Sequence, residues 1–105
     1  MTLRPDQRIL TSLVPSHSRV LDLGCGDGSL LRHLITTSGC LGTGVELDHS
    51  SLITAMSAGV PVLGLDLNED LGEFHDDSYD VVILSRTLQA IVSPDEVLAE
   101  MARIG

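Results

Sequence analysis

The sequence predicts an α/β domain, a Rossmann-like doubly wound parallel sheet of about four strands, and three observations predict it. Short apolar runs suited to buried strands alternate with segments whose apolar residues recur at helical spacing. A glycine turn inside VLDLGCGDGSLL, Val20 to Leu31, joins the first such strand to a helix. Acids stand where later strands end, at Glu46 and Asp66, and ligands of parallel sheets bind at those carboxyl ends.

The elements follow in order. A short amphipathic helix is expected from Pro5 to Val14, with Ile9, Leu10, Leu13 and Val14 on one side, and Pro15 stops it. Strand one runs from Arg19 to Leu23. After the turn, Leu30, Leu31, Leu34 and Ile35 mark a helix from about Ser29 to Thr37, each burying roughly 1.5–3 kcal/mol of apolar side chain. Strand two is Leu41 to Leu47, closed by Asp48 as the N-cap of a helix over His49 to Ala58, with Gly59 at its C-terminal glycine position. Strand three is VPVLGLDL, Val60 to Leu67, and the acidic stretch behind it has weak helical character. Strand four, DVVILS from Asp80 to Ser85, is apolar throughout, as in strands buried on both faces. Ser93-Pro94-Asp95-Glu96 offers a capping box for a last helix with Val97, Leu98 and Met101 inward and Gly105 as C-cap. A sheet that stops there leaves strand four as an apolar edge, which natural proteins avoid. The chain is therefore expected to be truncated at its C-terminus or to need a partner, self-association through that edge included.

A chain of 105 residues bounds the domain to one modest core, and 43% hydrophobic content argues against disorder. No run approaches the roughly 18 unbroken apolar residues of a membrane helix. MTLRPDQRIL lacks the apolar core of a signal peptide, so a cytoplasmic protein is expected. Cys25 and Cys40 have neither metal-ligand nor redox spacing and read as reduced thiols. His17, His33, His49 and His75 form no H-x-x-x-H pair, so no metal site is expected.

Net charge is −9 and unevenly spread: residues 1 to 45 hold three acids and four arginines, residues 46 to 105 twelve acids and two arginines. Asp66 to Asp80 contains seven acids and no base, a surface that repels nucleic acid. Its plain reading is a solvated face that keeps the protein soluble.

The turn has the spacing D-x-G-x-G-x-G, with Asp22, Gly24, Gly26 and Gly28. A dinucleotide fingerprint places its third glycine one residue later and approaches a pyrophosphate, which Asp22 and Asp27 would repel. At 4 Å two like charges cost about 1 kcal/mol in water and about 4 kcal/mol at an effective dielectric of 20. The same terms favour a cation. S-adenosylmethionine meets that demand: it carries a sulfonium and an ammonium with one carboxylate, and the loop N–H groups can meet the carboxylate. Glu46 lies 22 residues after Gly24, near the offset at which an acid accepts from ribose hydroxyls. Asp66 can accept from the adenine amino group, with Leu47 and Leu67 against the ring. Each residue also has a structural alternative: Asp22 as a turn cap, Glu46 and Asp66 as solvated acids, Ser85 as an ordinary turn residue.

SRVLDLGCGDGSLL, GTGVELD, LDLNEDLGEFHDDSYDVVILSRTLQAI and VLAEMARIG together resemble the methionine biosynthesis protein MetW family, a branch of the S-adenosylmethionine-dependent methyltransferase fold. The DVVILS-x-TLQA segment is distinctive of that branch, with Arg86 where the family has glutamine. The resemblance implies a larger, seven-stranded sheet in the complete family. It also implies a cofactor site made by Asp22, Gly24, Cys25, Gly26, Gly28, Glu46, Leu47, Asp66, Leu67 and Ser85, to which Asp27 adds its place in the loop. Family members act with homoserine O-acyltransferase in methionine biosynthesis, which sets a non-catalytic regulatory or assembly partner beside a methyltransferase as the alternative. No residue stands out as a catalytic base: His33 and His49 fall on helices and His75 in the acidic stretch. A nicotinamide-dependent oxidoreductase is disfavoured by loop spacing and charge.

Overall fold

Every strand is followed by a segment that returns the chain to the same end of the sheet, so all pair in parallel. The computed structural model describes residues 3–85 and 91–105. Its elements are α1 (Pro5–Leu13), β1 (Arg19–Leu23), α2 (Ser29–Ser38), β2 (Leu41–Val45), α3 (His49–Ser57), β3 (Val62–Leu63), a 3-10 turn at Leu71–Glu73, β4 (Val81–Leu84) and α4 (Pro94–Ile104). The sheet order is β3-β2-β1-β4, with β1 between β2 and β4.

Side chains alternate across the sheet and divide the core in two. Val20 and Ile83 face Leu30, Leu31 and Leu34 of α2 and Ala55 of α3. Leu21, Leu23 and Val45 face Val97 and Ile104 of α4 and the Leu71 turn. The sheet is thus wound on both faces, as the sequence predicts. Arg103 of α4 ties down the acidic stretch: its guanidinium donates to Phe74 O at 2.7 Å and Leu71 O at 3.0 Å and pairs with Asp76 at 2.7 Å. At the other end of that stretch Asp80 pairs with Arg19 at 2.9 Å. Asp76 and Asp80 therefore hold structure as well as charge.

Four local expectations are corrected. β3 spans two residues and not Val60 to Leu67, because only Gly44 and Val45 pair with it and the Leu65 N–H then turns back to Leu63 O at 3.1 Å. Along α1 the inward residues are Gln7, Leu10 and Val14, while Ile9 and Leu13 are 65% and 71% exposed. On α4, Ser93 makes no side-chain cap and Leu98 faces solvent, Ile104 taking its place inside. β4 is only half-buried along most of its length, since it pairs with β1 alone among the described residues. Asp48 does cap α3, accepting from the Ser51 N–H at 3.0 Å, and Gly59 takes a left-handed φ of 80° just past that helix. Arg86 and the TLQA that follows it lie outside the described residues.

Candidate functional site

The carboxyl ends of β1, β2 and β4 converge on the glycine loop. Gly24, Gly26 and Gly28 all adopt left-handed φ, at 74°, 59° and 79°, which explains why glycine recurs at every second position. The loop hangs on the end of β2: the N–H groups of Gly24 and Cys25 both donate to Val45 O, at 2.8 and 3.0 Å. Glu46, which follows, is buried. Its Oε1 accepts from the Gly26 N–H at 2.8 Å, and its Oε2 accepts from the N–H groups of Leu47 and Asp48 at 3.0 and 2.9 Å. A carboxylate so engaged fixes the loop against the strand end.

Asp22 sits on the α2 face of β1, one residue before the loop. It is 1% exposed. Its Oδ1 accepts from the Ser85 hydroxyl at 2.5 Å across the β1–β4 junction, and its Oδ2 is buried with no hydrogen-bond partner among the described residues. Burial pushes the Asp22 carboxyl up to about 7, the Ser85 bond opposing and the Glu46 charge adding to the rise. Cys25 is buried beside both acids, and burial first, then their charges, push its thiol up to about 12. It is an inert thiol. Asp27 differs: it faces solvent, and its Oδ1 accepts from the Ser29 hydroxyl and N–H at 2.7 and 3.0 Å, which holds its carboxyl below the ordinary value.

Two cavities meet at Gly24. One, of about 300 Å³, lies between the loop and α1 and is lined by Arg4, Gln7, Cys25, Gly26, Asp27, Ser51 and Ser85. The other, of about 80 Å³, lies beyond the ends of β2 and β3, among Glu46, Leu47, Asp66, Leu67, Asn68 and Ile91. Leu47 is 57% exposed there. Asp66 caps its own turn through the Asn68 N–H at 2.9 Å. The sequence-derived residues are thereby brought together with two exceptions: Gly28 is packed below the loop against Ala55 and Val60, and Asp22 reaches the first cavity's wall through Ser85.

Sequence reasoning missed Arg4, Gln7, Ser51, Asn68 and Ile91. The signal available was Gln7, a polar residue on the inward side of an amphipathic helix. A larger cavity, about 580 Å³, opens at the other end of the sheet among the starts of β1 and β2 and residues 73–79. Chemically, the loop end combines a buried acceptor with one arginine among the described lining residues, an arrangement suited to a ligand carrying both signs of charge.

Comparison with known proteins agrees with this fold. The fold is shared with one chain of a Haloferax volcanii complex between the Trm112 methyltransferase activator and a methyltransferase, at TM-score 0.76 and 30% identity over 87% of this chain and 42% of that one. It is shared too with Haemonchus contortus phosphoethanolamine N-methyltransferase 2, solved with S-adenosyl-L-methionine, at TM-score 0.80 and 24% identity over 95% of this chain and 25% of that one. In sequence, the chain is 41% identical over 114 aligned residues to the bifunctional methionine biosynthesis protein MetXA/MetW of Rhodopirellula baltica, covering all of this chain and 18% of that protein. No helix among the described residues is long and apolar enough to cross a membrane. Residues 4–105 match the model of the methionine biosynthesis protein MetW, and with that match and the Rhodopirellula relative the chain belongs to the MetW family.

Proposed function

We propose that this domain binds S-adenosylmethionine across the two cavities that meet at Gly24, as a methyltransferase-like protein of methionine biosynthesis. The observation that carries the reading is Asp22 Oδ2, a buried acceptor without a partner among the described residues. Such atoms are rare, and a cationic ligand satisfies this one. The remaining residues fit the same molecule. Glu46 shares its carboxylate between the loop and the ribose hydroxyls, Asp66 accepts from the adenine amino group, and Leu47 and Leu67 cover the ring. Bound, the cofactor supplies an electrophilic methyl group; this chain holds and orients it, and methyl transfer needs a base only when the acceptor must lose a proton.

Calorimetric titration with S-adenosylmethionine and S-adenosylhomocysteine tests the reading. Saturable heat from either supports it. Absence of heat from both, on protein whose circular dichroism shows a folded state, overturns it.

A second reading, a non-catalytic partner of homoserine O-acyltransferase, is supported by the single Rhodopirellula polypeptide that carries the MetXA and MetW names together. Glu69 and Glu73 are exposed acids in no ion pair among the described residues, so arginine at both positions leaves the Arg103 clamp intact. Loss of co-purification with the acyltransferase in that double variant supports docking through the acidic surface; an unchanged complex counts against it.

A further inference from the structure

The sheet has two edges, and the one at β3 is flanked by a helix whose apolar side is left open. α3 carries no Asp, Glu, Lys or Arg, and of its apolar residues Leu52, Ile53, Ala55 and Met56 only Ala55 is buried. A surface helix ordinarily sets a charged face against its apolar stripe; this one has none. The same holds beyond it, since His49 to Leu65 contains no acid, lysine or arginine in a chain whose net charge is −9. Ile53 and Met56 of the helix and Leu63 of the strand are all exposed. Leu52 Cδ2 stands 3.5 Å from where a Cβ on Gly64 would be, so this side of α3 borders the strand edge, and Met56 follows one turn on.

The backbone at that edge is arranged to pair with its own kind. Pro61 O accepts from the Gly44 N–H at 2.8 Å and Leu63 O from the Glu46 N–H at 3.0 Å, so those two residues are turned toward β2. Val62 lies between them and is turned the other way, its N–H and C=O directed off the sheet. Such a residue meets a copy of itself across a twofold axis as the hydrogen-bonded pair of an antiparallel ladder, each giving one N–H and accepting one. The same axis, normal to the sheet, lays α3 beside α3 of the second copy. We infer that the β3 edge and the adjoining side of α3 are a self-association surface, on which a second copy of this chain docks antiparallel about Val62. Charge selects this edge over the other: two molecules of net charge −9 approach best where neither contributes an acid, whereas Asp80 leads into β4, whose residues are buried or half-buried. Two strand residues and one helix side fall short of the roughly 800 Å² per partner of a tight complex, so the dimer is weak and depends on concentration.

Sedimentation velocity of the 105-residue chain, over concentrations from micromolar to millimolar at low and high salt, tests this without any cofactor and so apart from the cofactor reading. The expected result is a reversible monomer–dimer equilibrium that tightens with salt, because added ions screen the repulsion between two net charges of −9. Met56→Glu and Met56→Lys should each weaken it by at least about tenfold by setting like charges across the axis, and an equimolar mixture of the two should recover most of the loss. Met56 is exposed, so the circular dichroism of both variants should match the wild type. Three results overturn the proposal: a wild type that stays monomeric throughout the series, a dimer that salt dissociates or the variants leave intact, and a mixture that associates no better than either variant alone. The wild-type series decides the matter even if neither variant folds.

Discussion

The two ends of the sheet carry cavities of opposite character. At the amino ends of the strands, about 580 Å³ of space opens among Ile35, Leu41, Phe74 and Tyr79, and its cation, Arg19, is already spent on Asp80. At the carboxyl ends the loop cavity is only about 300 Å³, yet Ser85 in its lining donates to Asp22, a buried carboxyl whose other oxygen has no partner among the described residues. Volume and chemical demand therefore point in different directions. Demand is the better guide, because an unsatisfied buried acceptor costs free energy that an empty apolar groove does not.

Substitutions at each end break or sharpen that contrast. The largest effect is expected from Asp22→Asn, which removes a charge-assisted contact of about 2–3 kcal/mol and weakens S-adenosylmethionine by about 100-fold in calorimetry. An unchanged affinity would mean that the orphaned oxygen has no role in binding. Next, a Cβ at Gly44 would stand 2.5 Å from Cys25 Sγ, so Gly44→Ala is expected to cost about 1–3 kcal/mol in chemical denaturation. Cys25→Ala in the same chain should return part of that loss, since the two sites share one space; strict additivity would refute the contact.

A third effect follows pH. The folded state holds Asp22 at about 7 against an ordinary 3.8, so it binds more protons than the unfolded chain between those values. Stability from this group accordingly falls as pH rises from about 4 to 7 and levels off above. Asp80 acts oppositely: Arg19 holds its carboxyl at about 2, and the stability it gives above pH 4 is lost as pH falls toward that value. Thermal melts of Asp22→Asn should lack the decline between pH 4 and 7 and lie above the wild type at pH 8. Binding of a cation should release the Asp22 proton below pH 7, read as heat that varies with the buffer's ionisation enthalpy. The smallest effect is expected from Arg19→Gln, an exposed pair at the opposite end: a slight fall in melting temperature and no change in cofactor affinity. A loss of affinity there would erase the distinction between the two ends.

Periodicity made α2 legible in the sequence, because Leu30, Leu31 and Leu34 are buried by the sheet that their spacing anticipates. The loop was legible for a backbone reason: three left-handed residues in alternation leave glycine as the default. Edges and ends were less so. β3 shortens because pairing to one neighbour over two positions does not extend a ladder, and no propensity records which strand will lie at the edge. On α1 the apolar residues Ile9 and Leu13 outbid Gln7 in any amphipathic pattern, although Gln7 is the one turned inward. That inversion also hid the α1 wall of the cavity, whose residues precede the loop by some 20 positions. The acidic stretch misled in a similar way: Arg103 and Arg19, which anchor it, come from distant segments.

The fit of Cys25 against Gly44 carries a practical corollary. A thiol held at about 12 and packed against a strand glycine reacts slowly with disulfide reagents until the loop lifts away from β2. Its labelling rate is thus a built-in clock for the breathing of the glycine loop, readable without any introduced probe. Ligands that seat in the loop should slow that clock in proportion to their occupancy, and a ligand that leaves it running at its native pace does not close the loop.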